Sequence, residues 1–174
     1  MSKWYRLLRY DWPLHFVLLL TNWLPDNVVF VRFRGWLARP FFKKCGKKLG
    51  LGRNVTFYNP SSIELGDYVY IALGCWLQGG VGIEICDEVL LGPYVVVVAS
   101  NHSRKDGSWR FGAPIGEKIL IGRGAWIGAH CSILSGSDIG AGAVVGANTV
   151  VSGSVNPHSL FAGAKPAELK RYGK

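Results

Sequence analysis

Between residues 119 and 151 the chain sets Ile121, Ile127, Ile133, Ile139, Val145 and Val151 six residues apart without a slip. A helix repeats near 3.6 residues and a strand at 2, so neither buries a single stripe at this spacing. The period therefore describes turns of chain larger than one element of secondary structure. If three short, flat segments close a triangular coil, eighteen residues return the chain to its starting corner and each aliphatic stacks on the one eighteen before it. The product is an all-β solenoid, a parallel β-helix whose turns bury a core that no single turn could bury alone. The other positions agree: Gly122, Gly128, Gly140 and Gly146 follow the aliphatic, where the backbone must turn, and Cys131, Ala143 and Thr149 lie four after it, where the inside is narrow.

The same phase runs upstream. Leu65, Ile71 and Leu77 are six apart, Val69 and Cys75 fill the small inward slot, and after a slip at Gly79-Gly80 the register resumes with Ile85, Leu91 and Val97. The solenoid is thus expected over residues 49–164, followed by a tail at 165–174. One interruption, residues 100–118, is polar, carries Gly and Pro, and lacks the six-residue pattern. It reads as an excursion loop, and loops thrown from a rigid scaffold are where binding and chemistry concentrate.

The net charge of +9 looks at first like a nucleic-acid footprint, but its distribution says otherwise. Ten of the 20 Lys and Arg, and only Asp11 and Asp26 of the 11 acidic residues, fall in residues 1–48. The same segment holds Trp4, Trp12, Trp23 and Trp36 and five phenylalanines. Interleaved cations and large aromatics are expected of amphipathic helices lying in an anionic membrane interface, so no nucleic-acid partner is expected. The competing role for the segment is to cap the open end of the solenoid, and the two are compatible. The apolar run 16–24, bracketed by Pro13 and Pro25, is far short of the roughly 20 residues that cross hydrocarbon, and no small-x-small cleavage site follows it. Residues 1–48 are therefore read as a membrane-associating or capping segment, and the protein as cytoplasmic and peripheral on the inner face of the membrane.

Cys45, Cys75, Cys86 and Cys131 show no CxxC spacing and read as small buried residues in a reducing compartment. Of the four histidines, His15 lies in the amphipathic stretch, His130 at an outward corner of the repeat, and His158 in the closing segment after Pro157. His102 differs, because it sits where the coil gives way to the excursion loop, with Asn101 beside it and Arg104, Trp109 and Arg110 following. With an ordinary pKa near 6.5, a histidine at a rigid rim beside a polar loop suits a general base at neutral pH. The separations among His102, His130 and His158 match no close ligand spacing, and no metal is expected.

Four segments together, "IEICDEVLLGPYVVVVASNH", "AWIGAHCSIL", "IGAGAVVGANTVV" and "GAKPAELKR", resemble the hexapeptide-repeat acetyltransferases over about residues 49–171. The run through "RPFFKKCGKKLGLGRNVTFYNPSSIELGDY" is more similar to the polysaccharide, colanic-acid-type branch. The resemblance implies a left-handed parallel β-helix that forms a homotrimer, with acetyl-CoA in the groove between neighbouring solenoids. It implies O-acetylation of a sugar of a bacterial surface polysaccharide or lipid-linked glycan precursor, by direct transfer. His102 matches the family's catalytic histidine and Trp126 a tryptophan that lines the site in relatives. For the cofactor, Gly142, Ala143 and Ala147 would admit the pantetheine arm, and Lys165, Lys170 and Arg171 would meet the phosphates; Asn101, Arg104, Trp109 and Arg110 are the acceptor candidates. The closing motif departs from the family's usual "GNPAK": Ala164 stands in place of the Asn and Glu168 where a Lys is expected. Two alternatives remain open on the sequence: N-acetylation of an amino sugar, and a non-catalytic, membrane-bound trimeric scaffold.

Overall fold

The computed structural model describes residues 2–163. From Lys44 onward the chain winds about six turns of a parallel β-helix with three flat faces. Face I carries six strands from Lys44–Cys45 to Ser154–Val155, face II six from Gly50–Leu51 to Leu160–Phe161, and face III five from Thr56–Tyr58 to Val150–Val151. Each strand is only two or three residues long, because three flat edges must share one short turn. The first strand begins five residues ahead of position 49, so the "KKCGKK" run belongs partly to the first coil.

The aliphatic repeat is the inside of this prism. Leu51, Ile71, Leu91, Ile127 and Val145 stack along face II, and all are buried, as are Cys75, Cys131 and Ala143 in the narrow slots. The spacing of eighteen holds for Ile121 against Ile139, Ile127 against Val145 and Ile133 against Val151. Elsewhere the interval differs: Ile63 pairs with Ile83 and Leu65 with Ile85, twenty residues on, and Ile139 pairs with Val155, sixteen on. The differences all fall at one corner, between faces III and I. It is spanned by a 3-10 turn at Pro60–Ser62, by the Gly79-Gly80 slip, by the excursion loop, and finally by Ser152-Gly153 alone.

The other two corners never vary. Each takes four residues, and the third of them is left-handed in every coil: Lys48, Tyr68, Glu88, Gly124, Gly142 and His158 at one corner, Asn54, Gly74, Tyr94, His130 and Asn148 at the other, with φ between 54° and 72°. A side chain in this region costs roughly 1–2 kcal/mol. The compensation is visible in the backbone ladder. The N–H of the left-handed residue donates to a carbonyl of the preceding coil, as in Glu88 to Asp67 (2.8 Å), His130 to Pro93 (2.9 Å) and His158 to Ala141 (2.9 Å).

Coil 1 has no preceding coil, and the N-terminal helices take its place. Helices α1 (Lys3–Arg6) and α2 (Trp12–Thr21) are joined by a π-helical turn at Leu7–Asp11, and α3 is Val28–Ala38. Leu14 and Leu18 of α2 and Ala38 of α3 enter the same apolar core as the solenoid. Three side chains of the cap accept backbone N–H groups that would otherwise be orphaned: Asp26 from Arg53 (3.0 Å), Asn22 from Asn54 (3.0 Å) and Asp11 from Asn59 (3.3 Å). Asn54 is the left-handed corner residue of coil 1, so Asn22 stands in for the missing carbonyl. Arg34 locks the cap. It is wholly buried, and donates to Leu51 O (2.5 Å), Asp26 Oδ1 (3.1 Å), Thr21 O (3.2 Å) and Leu24 O (3.1 Å). Gly35 is required here, since a Cβ at this position would lie 2.0 Å from Leu49 O. The helical segment thus covers the open end of coil 1. Among the described residues no helix is long and apolar enough to cross a membrane.

Candidate active site

The excursion loop rises from the variable corner of coil 3 on a braced root. On the way out, Ala99 N–H donates to Gln78 O (3.1 Å) and Ser100 Oγ to Gln78 Oε1 (2.8 Å). On the return, Glu117 N–H donates to Ser135 Oγ (2.7 Å) and Ile119 N–H to Gly82 O (3.1 Å). Gly116 has no space for a side chain, because a Cβ would meet Ala99 O at 2.4 Å. Above this root, Asn101–His102 pairs antiparallel with Pro114–Ile115, placing Asn101 opposite Ile115 and His102 opposite Pro114. Ser103 continues the hairpin, its N–H and Oγ both donating to Ala113 O (3.1 and 2.8 Å). The polar loop is therefore a built hairpin with an exposed His102 near its base.

His102 opens on a cleft of about 670 Å³ lined by Asn101, Trp109, Arg110 and Ile115. Among the described residues its imidazole has no hydrogen-bond partner, which leaves both ring nitrogens available to a ligand. Three of the acceptor candidates, Asn101, Trp109 and Arg110, are brought around it; Arg104 is not part of this lining. Ile115 was not singled out from the sequence and supplies an apolar wall. Nothing in a non-periodic loop would have marked it, since its place follows from the hairpin register. A second depression continues from Asn101 and Ile115 past Glu117 and Ser135 to Ser152 and Gly153, along the variable corner.

The other candidates lie elsewhere. Trp126 stands outward on face II, 53% exposed, between Leu90 and Val144 on the neighbouring coils. Face II is bounded by the two regular corners, so in a single chain Trp126 and the His102 hairpin occupy opposite sides of the prism. Ala147 is exposed at the corner beyond face II. Ala143 points inward and is fully buried, so its side chain fills the core and offers no surface to a cofactor. Gly142 is overlain by the next coil, where a Cβ would come within 2.5 Å of His158 Nδ1. Lys165, Lys170 and Arg171 lie outside the described residues.

His130 and His158 are both left-handed corner residues, and His130 stacks on Tyr94 of the preceding coil with ring centroids 5.1 Å apart. The four thiols are free. Burial pushes those of Cys45 and Cys75 up to about 11, for Cys45 against the opposing pull of Arg39, and raises Cys86 and Cys131 in the same direction. Protonated thiols at neutral pH are poor nucleophiles.

Comparison with known proteins agrees with this fold. The model of the bacterial transferase hexapeptide, six repeats, matches residues 118–153. WbbJ of Escherichia coli K12, assigned by its name to lipopolysaccharide biosynthesis O-acetyl transfer, is 29% identical over 89% of this chain and 85% of its own length. The galactoside O-acetyltransferase of the same organism is 27% identical over 74% of this chain; the chain spans 56% of that relative. Among solved structures, a hexapeptide-repeat acetyltransferase from Vibrio cholerae O1 biovar eltor, complexed with acetyl coenzyme A, superposes with a TM-score of 0.76 at 28% identity, covering 88% of this chain and 81% of that one. Repeat, coil geometry and relatives coincide: the chain is a left-handed β-helix built on hexapeptide repeats, similar in sequence and fold to O-acetyltransferases of that repeat class.

Proposed function

We propose that the protein transfers an acetyl group from acetyl-CoA to a hydroxyl of a sugar, in a bacterial surface polysaccharide or a lipid-linked precursor of one, with His102 as the general base. The observation that carries this reading is the exposed His102 imidazole, without a hydrogen-bond partner among the described residues, in a cleft whose other walls, Asn101, Trp109, Arg110 and Ile115, suit a sugar ring and its hydroxyls. The acceptor hydroxyl gives its proton to His102 as its oxygen attacks the thioester carbonyl. The C–O bond forms, the C–S bond breaks, and the proton passes from the imidazolium to the departing thiolate. No covalent enzyme intermediate is needed, because holding both substrates together supplies much of the rate.

A homotrimer completes the reading. Face II presents Tyr70, Leu90, Trp126, Val144 and Leu160 outward, and face III Trp76, Val96, Val98 and Val150, whereas face I presents Glu64, Glu84 and Asp138. Two largely apolar faces, broken by Thr56, Gln78 and Ser132 on face III, and one mainly charged face, broken by Leu120, suit packing against further copies, and a second copy could bring its Trp126 to the His102 hairpin. Exposed Trp4, Trp23, Val28, Val29 and Trp36 on the cap support attachment to a membrane surface, where a lipid-linked acceptor would be found.

The test is thiol release from acetyl-CoA in the presence of a lipid-linked glycan fraction. The wild type should release thiol only with acceptor, and His102→Ala should fall by about 10² to 10⁴-fold, as for loss of a general base, with CoA binding retained. A His102→Ala enzyme of near wild-type rate, or a wild type that binds no CoA, would overturn the proposal.

A further inference from the structure

Between α3 and coil 1 lies an open pocket of about 630 Å³ lined by Arg32, Trp36, Arg39, Lys47, Lys48 and Leu49. It is remote in the fold from the His102 cleft. Lys47 and Lys48 belong to the regular corner of coil 1 between faces I and II, whereas the hairpin leaves coil 3 at the variable corner.

Four cations converge here, and among the described residues none of the four is in a salt bridge. Arg32 donates to Lys48 O and Arg39 to Cys45 O (3.5 Å), while the Lys48 ammonium sits 4.9 Å from the centroid of the Tyr68 ring. These contacts hold Arg32, Arg39 and Lys48 in place without neutralising them. A neighbouring carboxylate, Asp67, accepts the Lys47 backbone N–H at 2.6 Å. Like charges gathered this way repel one another unless an anion joins them.

The surface beside the pocket is apolar. Trp36 lines the pocket and stacks on Phe33 with ring centroids 6.2 Å apart; both rings are exposed, as is Val29 one turn earlier on the same side of α3. A cationic pocket continuous with an aromatic ledge matches a molecule that is anionic at one end and apolar at the other. We infer that this pocket binds the phosphate headgroup of a membrane lipid, as a phosphomonoester or diphosphate, with the lipid's apolar part along Phe33 and Trp36. Arg and Lys supply the charge-assisted hydrogen bonds that terminal phosphate oxygens accept. The inference rests on the membrane part of the proposed function and assigns to it a specific site and ligand chemistry.

The experiment is sedimentation of the full chain with three vesicle preparations: neutral phosphatidylcholine, and the same lipid with phosphatidylglycerol or with phosphatidic acid at matched surface charge. The wild type should bind all three and prefer phosphatidic acid by about tenfold. The exposed pair Lys47→Gln and Lys48→Asn removes two cations, and Asn suits the left-handed backbone of residue 48. Affinity for phosphatidic acid should fall about 25-fold, at about fivefold per cation at the phosphate, and that for phosphatidylglycerol only about two- to threefold, so that the preference vanishes while the melting temperature does not change. Binding to no vesicle would overturn the membrane reading and the pocket together. Binding to all three, with no preference or with none lost in the variant, would leave the membrane reading and overturn the pocket. Tight binding of inorganic pyrophosphate, lost in the variant, without any vesicle preference would assign the pocket to a soluble phosphate and overturn the lipid source.

Discussion

From face I to face II the chain takes four residues in every coil, and from face II to face III it does the same; from face III to face I it takes as few as two and as many as twenty. The regular corners are held by stacking. Each has a left-handed third residue whose N–H donates to the coil before, and a small first residue pressed on the coil after. At the third corner no such arrangement recurs from coil to coil, and its single contacts, such as Gly136 N–H to Glu117 O (3.3 Å), differ in each turn, so its length can change without disturbing the strands on either side. The variable corner is where the hairpin with His102 departs. The fold thus separates the positions that maintain register from those available for chemistry, and it does so within each coil.

Lengthening a regular corner should have the largest effect. Two residues inserted between Gly92 and Pro93 would displace the left-handed Tyr94 and its bond to Leu73 O (2.9 Å), and cooperative thermal unfolding should be lost. The same insertion between Ser152 and Gly153 only lengthens the shortest turn and should cost less than about 1 kcal/mol, in line with the weak dependence of loop closure on length. Equal loss at both places would erase the distinction between the corners.

A substitution sharpens the same point. A Cβ on Gly128 would meet the backbone N of Ala147 at 2.6 Å, and the bulkiest residues tolerated at equivalent positions of complete coils are Ala72 and Cys86. Gly128→Val should therefore lose about 3 kcal/mol in a denaturant titration, the upper range for overpacking. Gly124→Asn should change stability least, by about 1 kcal/mol or less. It has open space around it, and its left-handed slot is filled by Lys48, Tyr68 and Glu88 in earlier coils.

Much of this was legible in the sequence. The six-residue period located the buried positions and the interruption at 100–118, which in the structure lies between Val98 and Ile119. It could not state the coil length away from the clean repeats, since the twenty-residue coils place their extra residues where there is no periodicity to count. His102, Asn101, Trp109 and Arg110 were nominated from a polar stretch and come together because a two-residue hairpin folds the loop back on itself. Ala143 was nominated both as an inward filler and as a cofactor contact, and its complete burial leaves only the first role to its side chain. The aromatic and basic character of residues 1–48 was plain. The burial of Arg34, one of its ten cations, was not, because its partners Leu51, Thr21, Leu24 and Asp26 come from three separate segments.

By itself the sequence determined which side chains face inward and that successive turns must stack, because in a solenoid the contacts recur at a fixed interval along the chain and leave a periodic trace. Only the tertiary structure decided that one corner absorbs every length change, that Asn22, Asp26 and Asp11 replace a missing coil, that Trp126 and His102 lie on opposite sides of one prism, and that four cations meet beside Trp36. Those arrangements depend on single long-range contacts between unlike segments, and a contact made once leaves no period to read.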